Sequence, residues 1–313
     1  MITTLSILIP TRDRQRQITR LLDSIRRSTG LERIRPEIIV GDNGSADQTW
    51  EMLRQKSAEF PVPLRPFQIT APGKCRILNE AIRIAEGEVL AFLDDDVTVE
   101  AGWLNAVDNF FSQTSHMAAQ GIIRIPPEDL DNPQIGRLVQ RFRTAHHLDY
   151  GRNTDNVPSL NGANMAIRRE VFAKAGDFDI RLGPGASGTS EDVELAQRIL
   201  RNGIKIGYMP NAVVYHELDH LRLTEAYFKA LHQRQGISRL IYKDQSTSRI
   251  IFDLCRVSAH YGFYSMFGGE RNRYRSKGRL YHYSAMLQAK LGIHGRQPPA
   301  TQDRACVRAS GLR

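Results

Sequence analysis

The sequence predicts an α/β protein with a mostly parallel open sheet flanked by helices, followed by a helical C-terminal region. Up to about residue 216, short apolar runs alternate with segments whose apolar residues recur at helical spacing. Beyond that point, over residues 223–291, the apolar spacing favours helices alone, with a break at Gly268 and Gly269. These two patterns indicate strand and helix units first and packed helices afterwards.

The first units follow each other closely. A strand at residues 5–10 precedes a polar helix, and a strand at residues 37–41 precedes a helix that Ser45 is expected to cap. A helix over about residues 74–85 leads into an apolar run at residues 88–93. Such a run is typical of a strand that is covered on both faces.

The later units are less regular. We expect a helix at residues 102–111, a strand at residues 118–125 and a loop at residues 125–133. Another helix is predicted to start at residues 189–192, and an extended segment covers residues 204–215.

Three predicted strands end on polar or acidic sequence, at residues 10–13, 42–44 and 94–96. Ligands of open α/β sheets bind outside the carboxyl ends of the strands, so these segments should meet at one crevice. Three successive carboxylates raise one another's pKa unless a cation neutralises them, and Mg²⁺ or Mn²⁺ is the simplest such cation. The alternative is that the acids cap the next helix or face solvent.

Seven short motifs resemble, in order and spacing, those of the family 2 glycosyltransferases over about residues 5–216. The resemblance implies a Rossmann-like GT-A fold and a nucleotide-diphosphate sugar donor, with UDP favoured. It also implies a divalent metal, Mn²⁺ or Mg²⁺, and inversion at the anomeric carbon. The motifs are ILIPTRD (7–13), EIIVGDNGSADQT (37–49), GKCRILN (73–79), FLDDD (92–96), GAN (162–164), SED (190–192) and YH (215–216).

The resemblance also implies which residues contact the donor. Asp42 would accept a hydrogen bond from the base, and Lys74 would lie beside the diphosphate, where its charge has an obvious use. Leu78 stands where many members have Arg, so that contact is expected to be missing. The alternative for Lys74 and Asn79 is a surface helix. The full donor set is Pro10, Thr11, Arg12, Asp42, Gly73, Lys74, Asn79, Asp94 and Asp95.

The same resemblance implies the metal ligands and the catalytic base. Asp94 and Asp96 correspond to the D-x-D pair, and His216 corresponds to a further metal ligand in some relatives, the alternative being a structural histidine. Asp192 matches the general base that takes the proton of the acceptor hydroxyl, with Glu191 as its competitor. The alternative is that both acids only stabilise a helix N-terminus through its dipole.

The positive charge is regional and predicts the domain organisation. The chain carries +9, but residues 217–313 hold 17 Lys and Arg against 7 Asp and Glu, which leaves residues 1–216 at −1. We expect a GT-A catalytic domain at 1–216, with a nucleotide-sugar half at about 1–97 and an acceptor half at about 98–216. The basic, mainly helical region would be 217–313.

The basic helices have two open interpretations. They can pack on the catalytic domain with Lys and Arg in water, or lie on an anionic membrane, which would suit a lipid-linked acceptor. Their densest cationic cluster is RNRYRSKGR at residues 271–279. Nucleic acid is an unlikely partner because no recognised binding module accompanies this cluster.

Cysteine spacing, hydropathy and one missing motif exclude further classes of protein. Cys75, Cys255 and Cys306 have no disulfide or metal spacing, and no stretch approaches the roughly 20 apolar residues of a membrane span. We expect a cytoplasmic protein, with the inner face of the membrane as the alternative location. Processive polysaccharide synthases of the family that the motifs resemble carry a Gln-x-x-Arg-Trp motif. This sequence lacks it, because neither of its tryptophans, Trp50 and Trp103, ends such a motif. The addition of a single sugar is therefore favoured over polymerisation.

The leading hypothesis is therefore an enzyme that adds one sugar to a saccharide or lipid-linked saccharide. The first alternative is a sugar-phosphate nucleotidyltransferase, although residues 10–14 lack the glycines that such a loop needs. The second is a non-catalytic nucleotide- or sugar-binding subunit.

Overall fold

The computed structural model describes residues 4–151 and 155–293. Its centre is a mixed sheet built from β1 (Leu5–Thr11), β2 (Glu37–Asp42), β3 (Leu64–Gln68), β4 (Val89–Phe92), β5 (Val97–Val99), β6 (Ala118–Arg124), β7 (Met165–Arg168) and β8 (Ile206–His216). The eight strands lie in the order β3-β2-β1-β4-β7-β6-β8-β5. The β3-β2-β1-β4 half is parallel, whereas β7 runs antiparallel to both of its neighbours.

Helices cover the sheet and continue beyond it. They are α1 (Gln15–Arg26), α2 (Leu31–Ile34), α3 (Thr49–Glu59), α4 (Lys74–Ile84), α5 (Trp103–Gln113), α6 (Pro127–Leu130), α7 (Pro133–Phe142), α8 (Glu170–Ala175), α9 (Glu191–Arg201), α10 (Glu225–Tyr242), α11 (Thr247–Phe267) and α12 (Glu270–Lys290), with a 3₁₀ turn at His220–Leu223. Within the described parts of the chain, no helix is long and apolar enough to cross a bilayer.

The strands alternate between two apolar cores, as the pleat requires. Ile7 and Ile9 of β1 point into the core shared with α1, α3 and α5, while Leu8 points into the core shared with α4, α8 and α9. All three side chains are buried. The predicted sheet with helices on both faces is thus confirmed, and the apolar runs of the central strands reflect burial on both sides.

Several elements differ from the prediction. The strands β3, β5 and β7 were not predicted, and the expected loop at 125–133 contains α6, with α7 following directly. The strand β7 lies between β4 and β6, so the sheet is mixed from this point onward. In the register of β4 and β7, Phe92 pairs with Met165, which brings residues 162–164 beside the end of β4.

The helices α10, α11 and α12 form the last layer, and α12 packs against both others. The predicted break at Gly268 and Gly269 is confirmed, because α11 ends before it and α12 begins after it. A small apolar cluster around Phe142 and Phe228 joins α7 to α10, with Tyr274 of α12 against it. The boundaries of the two proposed domains stay predictions, and residues 294–313 lie outside the described chain.

Two of the three cysteines lie within the described residues. Cys75 is buried and Cys255 is exposed, and both are free. Cys306 lies outside the described residues.

Candidate active site

Parallel strands bring the polar segments to one edge of the sheet. Thr11 at the end of β1 pairs with Asp42 at the end of β2, and the amide of Leu93 donates to the carbonyl of Leu8. The acidic segment after β4 therefore lies beside the end of β1. The Thr11 hydroxyl donates to Asp95 over 2.7 Å, which ties the two strand ends together.

Arg14, at the start of α1, bridges two of the three acids. Its guanidinium lies 2.6 Å from Asp96 and 3.4 Å from Asp95. Burial raises the pKa of Asp95 to about 7, with Arg14 opposing the shift. For Asp96, burial is outweighed by His216 and Arg14, and the pKa falls well below its usual range. Asp96 is therefore the anionic member of this pair at neutral pH.

Asp94, Asp96 and His216 form a group that fits a divalent cation. Each offers one ligand atom, and these atoms lie within 4.8 Å of one another. The His216 Nδ1 lies 2.9 Å from the carbonyl of Glu217, which only accepts, so Nδ1 carries the hydrogen. Nε2 faces Asp96, 3.2 Å away; it pairs with this carboxylate when the ring is protonated and can bind a cation when the ring is neutral. Two carboxylates and an imidazole are side chains that bind divalent cations in proteins.

Lys74, the first residue of α4, connects the acids of β4 to those of α9. Its ammonium lies 2.6 Å from Asp94 and 3.3 Å from Glu191. Burial disfavours the ammonium, but Asp94 and Glu191 outweigh it and raise the pKa of Lys74 well above its usual value. Lys74 is thus a permanent cation at the centre of the site.

Asp192 is held by two backbone amides rather than by a cation. Gly162 donates to Oδ2 over 3.1 Å and Val193 donates to Oδ1 over 2.7 Å. Burial and the neighbouring Glu191 raise the pKa of Asp192 to about 7. Ser190, just before the pair, has φ of 78°, a strained conformation for a residue with a side chain, as is common at functional sites.

Asp42 is fully buried at the end of β2. Ser45 donates to its Oδ1, and Gln68 of β3 donates to its Oδ2 over 2.7 Å. Ser45 therefore does not cap α3 as predicted. The helix begins at Thr49, and the side chain of Asp47 accepts from its amide over 2.9 Å.

The other predicted donor residues are Asn79, Arg12, Pro10 and Gly73. The amide group of Asn79 makes two hydrogen bonds of 2.9 Å to the backbone of Phe178, so this side chain braces a loop rather than reaching the acids. Arg12 is exposed and lies 3.5 Å from Asp13, and Pro10 is half-buried in β1. Gly73 caps α4 with φ of 134°, a conformation that glycine adopts freely.

The structure also places residues in the site that the sequence interpretation missed. Arg14 follows the first motif by one position, so its place after a strand end was a usable signal.

The ring of His146 stacks on that of His216 with centroids 4.3 Å apart. Burial, reinforced by the positive charge of His216 and Arg222, lowers the pKa of His146 well below its usual value. His146 follows α7, which the sequence did not predict, so no signal pointed to it.

The site has the composition of a sugar-nucleotide site, and comparison with known proteins agrees. The family model described as Glycosyl transferase family 2 matches residues 6–176, more than half of the chain. The chain therefore belongs to glycosyl transferase family 2. Chondroitin synthase of Escherichia coli is 24% identical over 241 residues, a match that covers 68% of this chain and 34% of that protein. The matched region thus spans about a third of that relative's length.

Solved structures show the same fold. The mannosyltransferase PcManGT from Pyrobaculum calidifontis, in complex with GDP-Man and Mn²⁺, has a TM-score of 0.56 at 19% identity and covers 94% of this chain and 77% of its own. S. aureus TarS 1–349, in complex with UDP-GlcNAc, has a TM-score of 0.54 at 15% identity and covers 92% of each chain. The predicted GT-A fold is confirmed.

Proposed function

We propose that this chain is an inverting glycosyltransferase that moves one sugar from a nucleotide-diphosphate sugar to a hydroxyl of a saccharide or lipid-linked saccharide. The observation that carries the proposal is the juxtaposition of two groups. A cation-binding trio, Asp94, Asp96 and His216, is linked through Lys74 to the acids that begin α9. A donor diphosphate needs the first group, and an acceptor hydroxyl needs a base such as Asp192.

The residues for the leaving group are Asp94, Asp96 and His216, which would hold Mn²⁺ or Mg²⁺. When bound, the ion supplies positive charge against the departing nucleoside diphosphate. Lys74 adds a second positive charge, since Asp94 and Glu191 keep it protonated. PcManGT, whose solved complex contains Mn²⁺, supports this assignment.

The general base is Asp192 rather than Glu191. Glu191 is paired with Lys74 at 3.3 Å, so its negative charge is already used. Asp192 forms no ion pair within the described residues, and its carboxylate is oriented by the amides of Gly162 and Val193. A pKa of about 7 matches the requirement for a base that accepts a proton near neutral pH.

Asp42 is proposed to recognise the base of the nucleotide. A carboxylate accepts the N3–H of uracil or the N1–H of guanine, and we favour UDP. Ser45 and Gln68 both donate to Asp42, which fixes the orientation of its carboxylate. The two solved relatives hold a GDP-sugar and a UDP-sugar, respectively, so a donor panel is needed.

The test is a nucleotide-sugar panel with Mn²⁺ and simple saccharide acceptors, read out as released nucleoside diphosphate. We expect turnover with one donor class, lost in Asp96→Asn and Asp192→Asn but kept in Asp131→Asn, a matched change of an exposed acid on the α6–α7 connection. Pyrophosphate release from a nucleoside triphosphate and a sugar phosphate would instead identify a nucleotidyltransferase. Binding without any turnover would identify a non-catalytic subunit.

A further inference from the structure

We propose that the C-terminal helices carry a binding site for the phosphate group of an anionic membrane lipid. The site consists of a basic cavity where α10 leads into α11 and of an apolar stripe on α11 beside it. This site is separate from the acids of the sheet edge, and the inference does not depend on the transfer reaction. Two independent observations lead to it.

The first observation is the cavity, which has a volume of about 430 Å³. Four cations line it, Arg239, Lys243, Arg249 and Arg256, against two acids, Asp244 and Asp253. The helix α11, 21 residues long, begins at this cavity, with Ser246 as its N-cap. The amides of its first turn and its dipole add to the positive potential, so the cavity favours an anion.

Asp253 fixes the direction of two of these cations. It is almost fully buried and accepts from Arg249 over 3.1 Å and from Arg256 over 2.8 Å, while both arginine side chains stay mostly exposed. A guanidinium has five N–H donors, so each arginine has donors left over for a ligand. Two oriented guanidinium groups match the several oxygens of a phosphate.

The second observation is the apolar stripe on α11, which starts at Phe252, between the cavity residues Arg249 and Arg256. Phe252, Phe263, Met266 and Phe267 are between 55% and 75% exposed. Phe263, Met266 and Phe267 lie in the last two turns of α11, whereas the buried residues of this helix, Ile250, Asp253 and Val257, all lie in its first half. An exposed row of large apolar side chains on one helix marks an interaction surface.

Charge decides between a lipid surface and a second copy of this chain. Arg249 and Arg256 flank the start of the stripe, and α12, which packs along α11, exposes Arg271, Arg275 and Arg279. Two copies meeting through this face would bring cations against cations. An anionic bilayer instead offers phosphates to the cavity and an apolar interior to the stripe.

The experiment is co-sedimentation of the full chain with vesicles of phosphatidylcholine, with and without phosphatidylglycerol. We expect binding to the anionic vesicles, little binding to the neutral ones, and weakening by salt. Lys243→Ala should weaken binding about fivefold, equivalent to about 1 kcal/mol for one surface cation. Phe252→Ser with Phe263→Ser should also weaken it severalfold. The matched controls are Lys205→Ala and Leu130→Ser, exposed residues outside these helices.

Several results would overturn the inference. They are equal binding to neutral vesicles, equal loss in the control variants, or no vesicle binding by the full chain. Inorganic phosphate that raises the melting temperature of the wild type but not of Lys243→Ala, without vesicle binding, would assign the cavity to a soluble phosphate instead. A dimer in light scattering that Phe263→Ser dissociates, without vesicle binding, would assign the stripe to a second copy.

Discussion

Two adjacent acids at the start of α9, Glu191 and Asp192, have different surroundings. This difference supports a different chemical role for each. Glu191 contacts the Lys74 ammonium, whereas the hydrogen bonds to Asp192 within the described residues come from two backbone amides. A buried carboxylate beside another acid holds its proton to a higher pH, and this raises the pKa of Asp192. The sequence interpretation ranked Asp192 first by resemblance, and the geometry supplies a physical reason for that ranking.

The pH dependence of the reaction should reveal this base. Because the pKa of Asp192 is raised to about 7, its active, deprotonated form is lost as the pH falls below that value. We expect kcat/KM to rise about tenfold per pH unit below pH 7 and to level off above it. Measuring kcat/KM from pH 5 to pH 9 with the identified donor checks this.

The matched variants separate the two acids. Asp192→Asn should lower kcat/KM by about 10²- to 10⁴-fold and abolish the rise with pH. Glu191→Gln should keep the rise but move it to lower pH, because it leaves the base in place and removes a negative charge that raises the pKa of Asp192. A pH profile that survives in Asp192→Asn would contradict the assignment.

The role of a site residue could be predicted from the sequence where its motif directly follows a buried strand. It could not be predicted where the side chain binds a backbone group far away in the chain. Asp94, Asp96 and His216 come together as expected. Asn79 does not join them, because its partner Phe178 is 99 positions away in the chain. Backbone hydrogen bonds of this kind leave no periodicity in a sequence, so the structural role of Asn79 was invisible.

At the scale of elements, the long apolar strands were predictable and the short or atypical ones were not. The strand β3 contains Pro66 and polar neighbours, and β5 has only three residues after the acidic segment. Pairing with β2 and β8, respectively, supplies the hydrogen bonds that make them strands. Tertiary context thus overrides weak local propensity.

The crossing of α10 and α12 depends on the absence of two side chains. A Cβ at Gly236 would overlap the backbone carbonyl of His282, and one at Gly278 would overlap the ring of His232. Gly262 of α11, by contrast, has no atom within 4 Å of such a Cβ. The glycines of α10 and α12 therefore allow close helix packing, whereas Gly262 only lowers helix propensity.

Replacing glycine by alanine should have opposite effects on stability at positions 236 and 262. Gly236→Ala should destabilise the fold by about 1–3 kcal/mol, because a backbone atom must move to admit the methyl group. Gly262→Ala should stabilise it by about 0.5–1 kcal/mol through helix propensity alone. Urea denaturation followed by circular dichroism measures both. A neutral Gly236→Ala would mean that α10 and α12 are further apart than described.

For the whole molecule, the candidate site links elements that are distant along the chain. Thr11, Lys74, Asp96, Asp192 and His216 belong to or follow β1, α4, β4, α9 and β8, respectively. A ligand that contacts several of them binds the folded chain and not the unfolded one. Ligand binding should therefore be visible as global stability.

Metal and nucleotide should stabilise the protein together. At a nucleoside diphosphate concentration about 100 times its Kd in the presence of Mn²⁺, the stabilisation should reach about 2.7 kcal/mol, seen as a rise in Tm. Asp96→Asn should remove the part that depends on Mn²⁺, because it replaces a carboxylate of the trio whose pKa lies well below its usual range. Lys205→Ala, a distant exposed change, should keep the full rise. An equal rise with and without Mn²⁺ in the wild type would show that the trio holds no metal in the nucleotide complex.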